Sequence, residues 1–342
     1  MTKKIRTAIV GYGRSGKQLH GTGILQNGDA YHMVAVCSPS VSSRDQARND
    51  FPGCATFTTI TDMLAGVELD LVIIVTRNDQ HYAMALECLE AGCNILVTKP
   101  LATTAAEVQA IKETAVANQV EVYPFLPCRW ASDVRRIGEI IDSGAIGEVF
   151  NIRRSAYGFA TRDDWQTQTK FGGGILLNWG PHLIDSAIFL AGQEAESVYG
   201  ATSRLLNPGD AEDNFFAHLT LSNGVGVFAE WTFVPSALPN WLVQGTGGCI
   251  VVQDRDLRLF TGTPTKPTDP TDPKAMQGGG LAELSERLGE HIFGDSTEIY
   301  ADLAKAIRGE ITFPANIDDA LHIAKIIDGI KHSQSQKTIT EI

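Results

Sequence analysis

The sequence predicts an α/β protein: a doubly wound parallel sheet, followed by an α+β domain with a large, mainly antiparallel open sheet. Three observations carry this. The first third alternates short, continuously apolar runs with amphipathic stretches, as strands buried on both faces between helices do. A glycine-rich turn, GYGRSG at 11–16, directly follows the first apolar run. After about residue 145 the runs become strands joined by turn-like segments, the pattern of an antiparallel sheet.

Taken in order, IRTAIVG (5–11) reads as a buried strand, with a helix following to about Gln26. HMVAVCS (32–38), LVIIVT (71–76), NILVT (94–98) and VEVYPFL (120–126) continue the sheet, separated by segments such as HYAMALECLEAG and AAEVQAIKETAVANQ. Beyond the boundary at 126/127, GEVFNIRRSAYG, ESVYGATSRL, NFFAHLTLS, GVGVFAEWTF and NWLVQGTGGCIVVQ read as strands. The helix GGGILLNWGPHLID (172–185) lies among them, and TGTPTKPTDPTDPKAMQGGG (261–280) has the composition of a loop. Two helices, EIYADLAKAIRG and one opening near NIDDALHIAKIIDGIKHS, close the chain, the last placed to pack back on residues 1–126.

With 342 residues there is room for two domains, and 43% hydrophobic with 20% charged residues is ordinary for a folded soluble chain. The net charge of −12 argues against a nucleic-acid or membrane partner, either of which would want a basic face. The longest strongly apolar run, LVIIV, has the length of a buried strand, and the opening MTKKIRTAIVG reaches its glycine pair too soon for a signal peptide. Six cysteines without a CxxC read as reduced thiols of a cytoplasmic protein, and no zinc signature or other metal site is expected.

The glycine turn is a GxGxxG between a strand and a helix, where each glycine has a mechanical task. Gly11 makes the tight turn, Gly13 lets the backbone approach a pyrophosphate, and Gly16 lets helix and strand pack. This is the Rossmann dinucleotide fingerprint, with the helix N-terminus facing the phosphates. An NAD site would add a carboxylate about twenty residues on for the ribose hydroxyls. Here the second strand runs into Ser38-Pro39-Ser40, then Ser42, Ser43 and Arg44, with Arg14 in the loop itself. Hydroxyls and guanidiniums in place of an acid favour a 2′-phosphate, hence NADP over NAD.

The glycine-triplet helix carries Asn178, His182 and Asp185 at i, i+4 and i+7, one stripe of the helix. A capped core helix with a buried histidine is the plain reading; a stripe aimed at a substrate is the sharper one. Several motifs bear on the choice: GYGRSG, Thr76-Arg77-Asn78-Asp79-Gln80-His81, Thr98-Lys99-Pro100, Arg129-Trp130 before ASDVRRIGEIIDSGAIGEV, Asp164-Trp165, and GGGILLNWGPHLID itself. In this order they resemble the glucose–fructose oxidoreductase / inositol dehydrogenase (Gfo/Idh/MocA) family over nearly the whole chain. GYGRSGKQLHG and FVPS…NW are similar to its NADP-dependent polyol and scyllo-inositol dehydrogenase branch.

The resemblance implies hydride transfer between a nicotinamide and a hydroxyl carbon of a sugar, cyclitol or related polyol. It implies catalytic roles for Lys99, His182 and Asn178, with Arg129, Tyr157 and Trp165 joining them around the substrate. Cofactor contacts are expected from Gly11, Gly13, Arg14, Ser15, Gly16, Ser38, Arg44, Thr76, Asn78, His81, Thr98, Lys99 and Pro100. A histidine near neutral pH suits the hydroxyl proton, and an ammonium suits the developing alkoxide. His20, like His81, reads as structural or cofactor-adjacent.

The chain also departs from the family pattern. Thr98 replaces a glutamate, Arg77 a proline, Gln166 an arginine, and Asn178 the aspartate that would orient His182. Pro181 is expected to kink the helix between Asn178 and His182. Two alternatives use the same residues: a non-catalytic dinucleotide sensor or regulator, and a glycosidase that uses NAD transiently. The open second sheet needs a cover, so a homodimer or homotetramer through it is expected.

Overall fold

The computed structural model describes residues 3–263, 271, 280–291 and 294–342. The first unit follows the predicted alternation: β1 (Ile5–Val10), α1 (Thr22–Gln26), β2 (Tyr31–Cys37), α2 (Val41–Asp50), β3 (Ala55–Phe57), α3 (Ile60–Gly66), β4 (Leu71–Ile74), α4 (Asn78–Glu90), β5 (Asn94–Thr98), α5 (Ala105–Asn118) and β6 (Val122–Phe125). Its strands pair in parallel in the order β3-β2-β1-β4-β5-β6. Strands with helices on both faces must be apolar throughout, and Ile9, Ile73 and Leu96 are fully buried. β1 runs into the glycine turn, and the following helix carries a π-helical turn at Gly16–Gly21 before α1. Strand β3 was not expected: three residues, none fully buried, leave no apolar run to read.

The second unit begins with α6 (Ser132–Asp142), β7 (Val149–Gly158), α7 (Ile175–Ala191), β8 (Ala195–Ser203), β9 (Asn214–Leu221) and β10 (Gly226–Phe233). It continues with β11 (Trp241–Gly245), β12 (Gly248–Gln253), β13 (Asp256–Gly262), β14 (Leu281–Arg287), α8 (Ser296–Ile307), α9 (Ile317–Gln336) and β15 (Thr340–Glu341). The nine strands follow the order β14-β13-β12-β11-β7-β10-β9-β8-β15, antiparallel except for the β7–β10 pair. The loop expected at 261–280 falls largely outside the described residues, although Thr261 and Gly262 complete β13.

α7 lies on the inner face of this sheet, where Phe215, Ala217, Val227 and Ala229 alternate with outward residues. One core runs from Ile9 and Leu96 through Leu176 and Ile184 to Val227 and Trp241. The last two helices reach the first sheet's helices. Asn27 Nδ2 donates to Thr297 O (3.0 Å) in the first turn of α8, and Ala105 N donates to Asp328 Oδ2 (2.8 Å) on α9. A capping box, Asn316 with Asp319, starts α9. Between the two sheets this packing leaves one long cleft.

Candidate active site

The cleft encloses about 1120 Å³. It runs from the glycine turn, past the C-terminal ends of β1, β4 and β5, to the N-terminal half of α7. That is the position at which open α/β sheets bind ligands. At the glycine end Gly11 has φ +95°, and a Cβ there would lie 2.5 Å from Val75 O. A Cβ on Gly16 would stand 2.1 Å from Gly11 O, so the helix packs only on a bare backbone. Gly13 has nothing within 4 Å of its Cβ position. Its backbone is therefore open to the cleft, as a dinucleotide pyrophosphate requires, and the residues fit the group.

Arg14, Ser15, Thr76, Asn78, Thr98 and Pro100 line the same cleft. Ser38 is buried at the end of β2, and Arg44 Nη1 donates to Ser38 O (2.6 Å) and Pro39 O (3.0 Å). Arg44 thus sits at the end of β2, with its guanidinium on two backbone carbonyls. His81 stands behind the wall: Nδ1 lies 2.8 Å from Pro100 O and Nε2 3.2 Å from Thr76 O, tying two strand ends together. Burial holds this imidazole below its ordinary pKa.

The glycine triplet explains how α7 reaches the cleft. Asn78 Nδ2 donates to Gly172 O (2.7 Å), pinning the turn to α4. Gly174 has φ +113°, and a Cβ there would meet Glu212 Oε1 at 2.2 Å. That carboxyl caps the helix instead, accepting from Leu176 N (3.2 Å). The helix continues through Pro181, and Asn178 and His182 both line the cleft, so the expected kink does not separate them.

Lys99, at the end of β5, donates from Nζ to the backbone O of Asn178 and to its Oδ1 (2.8 Å). Asn178 Nδ2 donates to Gln166 Oε1 (2.7 Å), which also accepts from Arg162 Nη1 (2.6 Å). Arg162 in turn grips Asp164 (2.6 Å). His182 Nδ1 lies 3.4 Å from Cys128 Sγ, and the Trp179 ring stands edge-on with its centroid 5.9 Å away. Trp165 lines the cleft as expected of a wall residue. Burial, helped by the Arg162 charge, pulls the Lys99 ammonium down to about 8. Burial also holds His182 well below the histidine range and pushes the Cys128 thiol up to about 12.

Three expectations are corrected. Arg129 lies away from the cleft: its guanidinium pairs with Asp185 (2.6 Å) and Asp319 (3.0 Å), donates to Pro314 O (2.6 Å) and covers the Phe189 ring. Asp185 is consequently turned from the substrate stripe. Tyr157 donates to Asp254 Oδ1 (3.1 Å) on the second sheet and does not line the cleft. Conversely, Gln166, Arg162 and Cys128 were not expected at the site. Gln166 follows the Asp-Trp pair and so had a local signal, whereas Cys128 meets His182 only through the fold.

The comparisons with known proteins agree with this geometry. Residues 5–125 match the model of an oxidoreductase family with an NAD-binding Rossmann fold, and residues 134–251 match the GFO/IDH/MocA C-terminal domain. The chain belongs to the Gfo/Idh/MocA oxidoreductase family. Its class is that of NAD(P)-dependent dehydrogenases. It is 23% identical to the scyllo-inositol 2-dehydrogenase (NADP(+)) IolW of Bacillus subtilis, over 97% of this chain and 94% of that one. The D-glucoside 3-dehydrogenase of Escherichia coli is 27% identical over 66% of this chain and 62% of its own length. A crystal structure of an NAD-binding protein from Listeria innocua superposes with a TM-score of 0.85 at 25% identity, covering 99% of this chain and 97% of that one. Among the described residues no helix is long and apolar enough to cross a membrane.

Proposed function

We propose that the protein is an NADP-preferring dehydrogenase acting on a hydroxyl carbon of a sugar, cyclitol or related polyol. The observation that carries this is the meeting of Lys99 and His182 at the far end of a cleft that begins at a bare glycine turn. The named relatives, which act on an inositol and a glucoside, support the substrate class. Bound there, a nicotinamide would exchange a hydride with the substrate carbon.

The protein's own residues handle the proton and the charge. His182 is neutral at pH 7, because burial beside Lys99 and Arg154 disfavours the imidazolium. Its Nδ1 faces Cys128, which leaves Nε2 to accept the hydroxyl proton. Lys99 stabilises the developing alkoxide, and the two bonds it donates to Asn178 fix where its ammonium stands. The preference for NADP is supported by the serines after β2 and by Arg44 and Arg14, where a carboxylate would repel the 2′-phosphate.

The test is incubation of the purified protein with NADP or NAD and a panel of inositols, aldoses and polyols, following reduced-nicotinamide absorbance. Reduction of NADP with one of them is expected. Tight cofactor binding without reduction on the whole panel would point to a sensor instead.

A further inference from the structure

At the substrate end of the cleft, among the described residues, Lys99 is the cation that no carboxylate pairs. Lys99 Nζ is held by two neutral oxygens, the backbone O and Oδ1 of Asn178. Burial is the main force holding both Lys99 and His182 below their ordinary pKa, and the Lys99 and Arg154 charges add to it at His182. The carboxylates closest by sequence or fold are each set against an arginine rather than Lys99, Asp164 within the cleft itself. Asp164 grips Arg162 (2.6 Å), Asp185 grips Arg129 (2.6 Å), and Asp133 faces Arg154 (3.8 Å) while accepting from Trp241 Nε1 (2.7 Å).

The amide relay is oriented as well as neutral. Asn178 Oδ1 is taken by Lys99, and Gln166 Oε1 by both Asn178 Nδ2 and Arg162 Nη1. Reversing either amide would set N–H against N–H, so both orientations are fixed, with Gln166 Oε1 filled by two donors and Asn178 Oδ1 turned to Lys99. Beside the acceptor His182 Nε2, what this relay leaves for a ligand is hydrogen: the third proton of the ammonium and Gln166 Nε2. A buried cation without a counter-ion is costly, and a carboxylate, which only accepts, satisfies both donors with charge-assisted bonds. One unmatched positive charge also suits a monoanion better than a phosphate dianion.

We propose that the substrate is a sugar acid, a polyhydroxylated molecule whose carboxylate lies beside the reacting carbinol, so that carboxylate and carbinol oxygen share the remaining N–H of Lys99. This rests on the dehydrogenase reading above. The experiment compares matched neutral and acidic ligands: glucose with glucuronate and gluconate, and galactose with galacturonate, adding glucose 6-phosphate. Each is scored by NADP or NAD reduction and, independently, by the shift it causes in the thermal unfolding of the cofactor-loaded protein.

One acid should exceed its neutral partner in kcat/KM by at least about tenfold, the equivalent of one charge-assisted bond. The same acid should raise the unfolding temperature where its neutral partner does not. Asn178→Asp, which returns a carboxylate to Lys99, should abolish that preference. Gln166→Glu, which adds charge without touching Lys99, should weaken it and guards against a folding artefact in the first variant.

A neutral partner turned over and bound as well as the acid overturns the sugar-acid proposal and leaves the dehydrogenase intact, as does an acid preference that both variants leave unchanged. An acid that binds, loses binding in Asn178→Asp and is never oxidised keeps the anion site and removes the dehydrogenase reading. No acid favoured in either rate or binding overturns the proposal.

Discussion

Lys99 and His182 are legible in the sequence because each sits in a short motif with a fixed place after a strand or a glycine turn. Their surroundings are not legible. Asn178, His182 and Asp185 form one stripe on paper, yet Asp185 lies about 10 Å along the helix axis from Asn178, past the cleft and against Arg129. Two residue-scale outcomes follow. Lys99 gives up its proton near pH 8, so where the ammonium is required kcat/KM falls above that pH. His182 is already neutral, so no acid limb from it appears between pH 6 and 8. A pH–rate profile flat to pH 9.5 would contradict the ammonium's role. Arg129→Ala leaves Asp185 buried without its partner and should cost about 3–5 kcal/mol in denaturant unfolding. An unchanged midpoint would remove the structural role assigned here.

At the scale of elements, buried strands declared themselves by continuous apolar runs, while β14, nearly all exposed, offered no alternation to read. The glycine triplet was visible as a turn, but its necessity depends on residues distant in the chain. Asn78 pins Gly172, and Glu212 occupies the space beside Gly174 while capping α7. Gly174→Ala therefore meets a positive φ and a carboxylate together. It should lower stability by about 2 kcal/mol or more and displace the N-terminus of α7. Thermal unfolding measures the first effect. The second should raise KM for the substrate more than the affinity for the dinucleotide falls. Equal losses in both would mean that α7 does not set the substrate end.

For the whole molecule, composition and periodicity indicated two sheets and a last helix packing back on residues 1–126, but not that α8 also returns, to α1, beside the α9–α5 contact. Among the described residues, no helix covers the outer face of the second sheet around Phe216 and Phe228. There Phe216 stacks on Phe228 (6.4 Å, 16°), Arg153 covers the Phe228 ring, and Tyr199 is exposed. Aromatic side chains in a row on an open sheet are suited to another protein surface. Light scattering at micromolar concentration should give a dimer or tetramer that Phe228→Glu dissociates; a monomeric wild type would contradict this.

The most direct test of the dehydrogenase mechanism compares wild-type protein with Lys99→Ala on the same substrate, NADP present, reading nicotinamide absorbance. Steady NADPH formation by the wild type, reduced at least about a hundredfold in the variant while the dinucleotide still binds, is the expected result. Equal turnover by both proteins would contradict it.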